Sequence, residues 1–447
     1  MAERKDSRIS PDPLAPSSER IGRILRDALD GNLIGDHAPL TQFFDLDAFT
    51  SRIRSLRASF PSTAEHTIAV KANPSVAILR IARAHGLGAE CASMGELALA
   101  RVAGFMPPTI IYDSPVKTER DIERLLDEGI RINIDNTAEF ERILRYLRTN
   151  GAPAPSLGIR LNTGMRRGRY EQTSTAMRGG KFGETARRIN TFLRREQGAA
   201  HHLNRVHVHT GSQGYPVEML VESITRAVAL AHELNMRFDT PINSIDIGGG
   251  LPVRYRPEDP LIGFEQYVRA LRDGVPELFG FRIMTEFGRS LLAPPGWTAC
   301  RIEYVKTGRT RIALGHAGAD LFLRSAYLDW YHHITVFDPT GRTKTDDIRM
   351  HDIAGPLCFS GDYVARRRLL PCIDPGDWLV IHDTGAYTSG MWSLYNSRFM
   401  PPIIGYREGS AFEILFRGWD ETDILRLWDR EEHADAGQQP DRGGRHE

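Results

Sequence analysis

The chain lacks an apolar run of about 18 residues, the length a membrane-spanning helix needs. It also lacks net charge. Lys+Arg and Asp+Glu both number 57, so nothing in the balance points to nucleic acid or an acidic membrane, either of which calls for a basic face. Local basic runs such as Arg187-Arg188 and Arg366-Arg367-Arg368 read as solvated surface. Cysteine is scarce: Cys91, Cys300, Cys358 and Cys372 form no CxxC pair, and their spacing suits neither a zinc site nor a disulfide framework. Reduced thiols and a cytoplasmic protein are expected. No apolar signal core precedes the fold. The polar, Pro/Ser-rich leader (1–36) is expected to be partly disordered, and the charged, Gly-rich tail (426–447) to be disordered. Internal repeats and low-complexity tracts are not evident.

What is present is 447 residues, 41% hydrophobic and 26% charged, enough for one large barrel and a second domain. Helical periodicity marks 21–34 and 46–60, with a short strand at 39–43 between them. An alternation then begins. Short apolar runs at 67–70, 87–91, 109–112, 131–134, 156–161, 205–209, 244–247 and 281–286 are mostly separated by helical segments. Eight strands with intervening helices predict an α/β architecture, a (β/α)8 barrel over 61–298, with a doubly wound sheet as the rival. From residue 301 the texture changes to short β-rich runs bounded by Gly, Pro, Asp and Thr. These predict an all-β barrel or sandwich over 299–425, joined by the N-terminal segment 37–60.

Barrel enzymes place reactive groups at the C-terminal ends of the strands. There stand Lys71, Glu90, Cys91, Tyr112, Asp113, Arg160, His209, the triplet Gly248-Gly249-Gly250, Glu286 and Arg289. Lys71 follows the run Thr67-Ile68-Ala69-Val70. A lysine there either snorkels to solvent or is desolvated, which lowers its pKa and frees the amine to form a Schiff base. The glycine triplet is a plain turn or an anion cradle of backbone N–H groups, and Arg289 beyond the eighth strand favours the cradle. Glu286 is a salt-bridge partner or the group that holds a proton on a pyridine nitrogen. His207 and His209 alternate, which puts both on one strand face; an H-x-H pair of this kind can ligate zinc, and a metal-dependent hydrolase is a rival reading with no further ligands in sight. Cys358, with Asp362 four residues on, is an inert thiol or a proton donor. The Tyr387 hydroxyl is placed to bind a phosphate oxygen.

Together these pieces resemble the fold type III decarboxylases that use pyridoxal 5′-phosphate, the family of diaminopimelate and ornithine decarboxylases, over about residues 38–420. The motifs are Val70-Lys71-Ala72-Asn73, Cys91-Ala92-Ser93-Met94-Gly95-Glu96, Lys181-Phe182-Gly183, His209-Thr210-Gly211-Ser212-Gln213, Gly248-Gly249-Gly250, Glu286-Phe287-Gly288-Arg289, Gly355-Pro356-Leu357-Cys358 and Gly385-Ala386-Tyr387. The segments 323–327 and 385–398 look closer to diaminopimelate decarboxylases. The resemblance implies Lys71 as the Schiff-base lysine, His209 stacked on the cofactor ring and Glu286 at its nitrogen. It implies Ser212, Gly248, Gly249, Gly250, Gly288, Arg289 and Tyr387 around the phosphate, with Arg160 and Glu96 in support. It implies a homodimer in which Cys358 from the second subunit protonates the quinonoid carbon after carbon dioxide leaves. Arg324, Cys358, Phe359, Asp362 and Tyr387 would meet the substrate. No metal, nucleic acid or membrane is implied.

Two positions depart from the family pattern. Glu90 stands where the family usually has Asp. Phe359 follows Cys358 where diaminopimelate decarboxylases have the Glu implied to bind a distal ammonium, and an aromatic ring cannot replace that pairing. Arg324, implied to bind a distal carboxylate, is kept. The expected substrate is therefore an amino acid with an anionic distal end, free or conjugated. Racemization on the same scaffold and a catalytically inactive binding protein are the alternatives.

Overall fold

The computed structural model describes residues 12–151, 155–166, 168–196, 198–328 and 330–429. Residues 1–11 of the expected leader and 430–447 of the expected tail lie outside these. The helix Glu421–Trp428 runs past the tail boundary expected at 426, and the first helix, Ser18–Asp30, begins inside the expected leader. Ser17 caps that helix by accepting from the Arg20 N–H.

Strand β1 (Leu40–Asp45) precedes eight parallel strands: β2 (Glu65–Ala69), β3 (Gly88–Cys91), β4 (Ile110–Tyr112), β5 (Arg131–Ile134), β6 (Leu157–Arg160), β7 (Leu203–His207), β8 (Ser244–Asp246) and β9 (Arg282–Phe287). They pair in sequence order and β9 returns to β2, so the sheet closes into a barrel. The buried strands need helices on their outer face, and the helices supply it: Ile78, Leu79, Ile122, Leu125, Ile143, Ile224 and Leu271 all pack into one continuous core. A doubly wound open sheet is thereby excluded.

The second unit is a nine-stranded sheet made of β1, β10 (Gly296–Lys306), β11 (Arg311–Gly315), β12 (Ile334–Phe337), β13 (Ile348–Ala354), β14 (Tyr363–Pro371), β15 (Trp378–Ile381), β16 (Ile403–Tyr406) and β17 (Glu413–Phe416). β1 lies between β10, antiparallel, and β16, parallel. The chain therefore starts this domain, leaves to build the barrel, and returns to finish it. β14 is the edge strand that carries Arg366-Arg367-Arg368. Arginines on an edge discourage a further strand from pairing, and Arg366 and Arg367 are exposed there, as the solvated-surface reading expects. Among the described residues no helix is long and apolar enough to cross a membrane.

Candidate active site

The carboxyl ends of the barrel strands converge on Lys71. The lysine does not sit on β2 but on the 3-10 turn Val70–Ala72 that follows it, which Pro74 prevents from extending. Its ammonium pairs with Glu90, at the end of β3 and fully buried. The side chain is still 38% accessible through the open mouth of the site. Burial pulls the Lys71 pKa down, but the charges of Glu90, Tyr387 and Glu286 pull harder and the net shift is upward. The lysine is thus held as an ammonium, contrary to the expectation that desolvation alone would set its state.

Behind Lys71 is a dense polar floor. Arg160, ending β6, donates to both oxygens of Asp113 at 2.9 and 3.2 Å. Asn133 on β5 donates from Nδ2 to Asp246 and to Glu286, each at 3.3 Å. Arg205 on β7, with no exposed surface, donates to Asn133 Oδ1 at 3.1 Å and so sets which way that amide points. Burial, then the charges of Glu90 and Asp113, push the Glu286 carboxyl up to about 8. Burial, then Glu286, push Asp246 up to about 7.

The two histidines do not share a strand face. β7 ends at His207, whose Nε2 stands 3.4 Å from Glu286 and 4.0 Å from Asp113. His209 lies beyond the strand, where its Nδ1 accepts the Gly249 N–H at 3.1 Å. Burial, then the charges of Arg160 and Lys71, hold the His209 pKa well below its ordinary value, so its ring is neutral. The H-x-H chelate predicted for a metal hydrolase is not formed. Asp113, His207 and Glu286 do offer donor atoms within 4.8 Å of one another. Two of the three are already engaged, Asp113 by Arg160 and Glu286 by Asn133.

The glycine triplet leaves β8 in a conformation that side chains resist. Gly248 and Gly250 have φ of 64° and 96°, and a Cβ on Gly249 would lie 2.6 Å from the Glu286 carbonyl oxygen. Asp246 pins the turn by accepting the Gly248 N–H at 3.0 Å. Next to it, Arg289 reaches Ser212 Oγ at 2.9 Å and the Tyr255 hydroxyl at 3.1 Å. Gly288 packs so closely that a Cβ there would meet Ala72 at 2.8 Å. Tyr387 (φ 58°) hydrogen-bonds its N–H to the Ala72 carbonyl at 2.7 Å and lays its ring under Arg289, 4.5 Å from the guanidinium carbon.

Two buried cations stand in this corner without an anion. Among the described residues no carboxylate pairs with Arg289, which meets only hydroxyls and the rings of Tyr255, Trp330 and Tyr387. Arg324, 6% exposed, donates from Nη2 to the Ala386 and Tyr387 carbonyls at 3.1 Å, while its Nε and Nη1 have no partner. It stacks on Trp330 at 4.4 Å, and burial followed by the nearby Arg289 charge lowers its pKa to about 10. A buried unpaired cation is costly, so both positions call for anions. The Arg289 corner, with its hydroxyls and glycine loop, suits a phosphate monoester.

Other predicted residues fall elsewhere. Glu96 accepts the Ala92 N–H at 2.6 Å and closes the start of the helix Met94–Val102 rather than touching Lys71. Asp362 is 4% exposed and uses both oxygens on the backbone, accepting from Ala319 at 2.6 Å and Leu357 at 2.7 Å. It shapes the Cys358 loop and does not face the cavity. Cys358 is exposed, tied to Asn396 and Tyr395, with Phe359 packed against Tyr327 and Tyr395. None of these contacts belongs to the Lys71 site. In the 164–180 stretch, Tyr170 stacks on Trp330 and Arg169 pairs with Asp259 at 3.0 Å, which seats the loop over the Arg289 corner; Arg167 lies outside the described residues. Sequence reasoning missed Asn133, Arg205, Tyr255 and Trp330. The first two had a signal: single polar residues inside otherwise apolar barrel strands.

A family model described as the pyridoxal binding domain of pyridoxal-dependent decarboxylases matches residues 46–293, more than half of the chain. Diaminopimelate decarboxylase of Methanothermobacter thermautotrophicus is 30% identical over 367 residues, 80% of this chain and 83% of that protein. The Pseudomonas aeruginosa enzyme of the same name is 30% identical over 363 residues, 80% and 82%. The crystal structure of diaminopimelate decarboxylase from Helicobacter pylori complexed with L-lysine superposes with a TM-score of 0.81 at 26% identity, covering 89% of this chain and 98% of that one. None of these relatives is named a racemase. With the lysine, the glycine loop and Arg289 on one barrel rim and Arg324 beside them from the β-sheet unit, the chain belongs to the pyridoxal-dependent amino-acid decarboxylases, a family of carboxy-lyases.

Proposed function

We propose that this decarboxylase uses pyridoxal 5′-phosphate to remove the α-carboxylate of an amino acid whose distal end is anionic and carries no ammonium. The observation that carries the substrate reading is Arg324, buried with two guanidinium nitrogens unpartnered. A carboxylate or other planar anion satisfies both nitrogens at once. Phe359, where the relatives' pattern has a carboxylate, removes the partner a distal ammonium requires.

Within the chain the labour divides by location. Lys71 would be the amine that attaches the cofactor, and Glu90 pairs with that amine and fixes its position. Arg289, Ser212, Gly249, Gly250 and Tyr387 would hold the phosphate, and Gly248 and Gly288 give the backbone the room to approach it. Glu286 would meet the ring nitrogen, with Arg160 and Asp113 bracing the floor beside it. His209, neutral and hydrogen-bonded to the glycine loop, would pack on the ring face. When bound, the pyridoxal ring accepts the electron pair released as carbon dioxide departs. Cys358 is exposed and the contacts of its loop lie outside its own chain's Lys71 site, so a homodimer is proposed in which Cys358 and Phe359 of a second copy would complete the site, with the thiol as the proton donor. The exposed rings of Tyr327, Tyr395 and Phe399 around that loop give the second copy an apolar surface to cover. All four cysteines are unpaired, which suits the reducing cytoplasm.

The test is carbon dioxide release from the purified holoenzyme across a panel of amino acids. The best substrate is expected to carry a distal carboxylate or phosphate. meso-Diaminopimelate as the best substrate would overturn the distal-end reading while leaving the chemistry intact.

A further inference from the structure

The barrel floor holds four carboxyl groups and three cations. Glu90 is paired with Lys71 and Asp113 with Arg160. That leaves Asp246 and Glu286 with no cation of their own: Lys71 lowers the Glu286 pKa but is already paired with Glu90, and Arg205 stands behind the pair. Arg205 reaches them only through Asn133, whose Nδ2 donates to one oxygen of each. Both carboxyls are sealed from solvent, at 0% and 4% exposure. The charges of Glu90 and Asp113 push Glu286 further up, and His207, with Nε2 3.4 Å from Glu286 and no hydrogen bond on either ring nitrogen, has its pKa pulled down by burial and is a neutral neighbour. Two adjacent buried carboxylates cannot both stay ionised when the nearby cations are already paired or reach them only indirectly.

We infer that Asp246 and Glu286 share a single proton, held between them by the Asn133 amide, and that Asp246 is the positioning residue that sets the protonation of Glu286. The upward shift of both carboxyls agrees with this. The consequence concerns the cofactor nitrogen, and it rests on the assignment of Glu286 to that atom. When a basic ring nitrogen arrives, the Glu286 O–H bond breaks, the proton moves to nitrogen, and both carboxyls become anions. The negative charge opposite the protonated ring is then spread over two carboxylates rather than one. Asp246 also accepts the Gly248 N–H from its other oxygen, so the same side chain links the state of the ring nitrogen to the turn that forms the phosphate loop.

The first test needs no cofactor. Infrared spectroscopy of the apo-protein near pH 6.5 is expected to show a buried protonated carboxyl that is lost in Asp246→Asn and equally lost in Glu286→Gln, beside a band from Asp383, which burial pushes up to about 7 and which Asp383→Asn identifies. A band other than that of Asp383 that persists unchanged in Asp246→Asn assigns the proton to Glu286 alone and overturns the sharing. No band beyond that of Asp383 in the unmutated protein overturns it as well. The second test uses the holoenzyme. Asp246→Asn is expected to lower the pH at which the ring-protonated absorbance band is lost by about one unit, since it removes one of two anions near the nitrogen. An unmoved titration in that variant overturns the role given to Asp246. An unmoved titration in Glu286→Gln would instead sink the assignment of Glu286 to the ring. If Asp246→Asn fails to fold by circular dichroism, Asn133→Ser, which deletes the bridging donor, is expected to shift the apo carboxyl band, and a band left in place defeats the proposal.

Discussion

The barrel floor around Lys71 and the loop carrying Cys358 are built to opposite rules. The floor is complete within one chain: Glu90, Asn133, Arg205, His207 and Asp246 have no exposed surface, Lys71 pairs with Glu90, Arg160 with Asp113, and Arg205 is held by Asn133. The loop is held rigidly from behind by Asp362 yet presents its thiol to open solvent. Under the proposed function the contrast separates cofactor binding, which one protomer would supply, from proton return, which would need a second surface.

Four experiments break or sharpen this contrast. The largest effect is expected from Lys71→Ala, which removes the attaching amine. The absorbance band of the lysine-bound cofactor, at about 410–430 nm, is expected to vanish and activity to fall by a factor on the order of 10³ or more. Next, Cys358→Ala is expected to keep that band while losing about 10²-fold or more in turnover. Mixing it with Lys71→Ala is expected to restore about a quarter of wild-type activity through heterodimers with one intact site. No recovery on mixing, once subunit exchange is verified, would place the whole site in one chain.

A smaller effect is expected at the substrate arginine. Arg324→Gln is expected to raise KM by roughly 10–100-fold for the anionic substrate, with a lesser change in kcat, because a charge-assisted bond contributes about 1.5–3 kcal/mol. Steady-state kinetics decide it, and an unchanged KM sends the distal anion elsewhere. The smallest effect is in pH-dependent stability of the apo-protein. The folded-state values of about 7 for Asp246 and about 8 for Glu286 lie above their ordinary 3.8 and 4.5. Their contribution is full below about pH 4 and is lost as pH rises through 7 and 8. Up to about pH 7.5 the buried His66, His332 and His382, whose values are pushed down to about 4, 3 and 3, oppose that loss, because their unfolded-state rings are still giving up protons there. Tm is therefore expected to fall from about pH 7.5 to 9 and to fall less in Asp246→Asn.

Much of the barrel was legible because buried parallel strands are written as short apolar runs, and each run ends where chemistry begins. Lys71, Glu286 and Arg289 could be placed on one rim from that pattern alone. The β domain was harder. β13 and β14 escaped notice because an edge strand carries Arg366 and Arg367 where a central one carries Val or Ile, and their pairing shifts register at Ile353. The 3-10 turn under Lys71 and the end of β7 at His207 depend on which carbonyls accept which N–H groups, which residue spacing does not record. The state of Lys71 was misjudged for a related reason: its pKa answers to Glu90 on the neighbouring strand β3, a contact between strands.

The placement of β1 also bears on how the protein is made. Leu40 pairs with Cys300 and Gln42 with Ile403, so this strand leaves the ribosome long before either neighbour exists. At about 5–20 residues per second, the wait for β10 is on the order of ten to fifty seconds. During that interval Phe43 and Phe44, both buried in the finished molecule, have no sheet to enter. The barrel can close in the meantime, since its eight strands lie wholly between β1 and β10. A nascent chain arrested before residue 296 would therefore display a finished barrel on a bare apolar strand, the species a chaperone has reason to hold until translation ends.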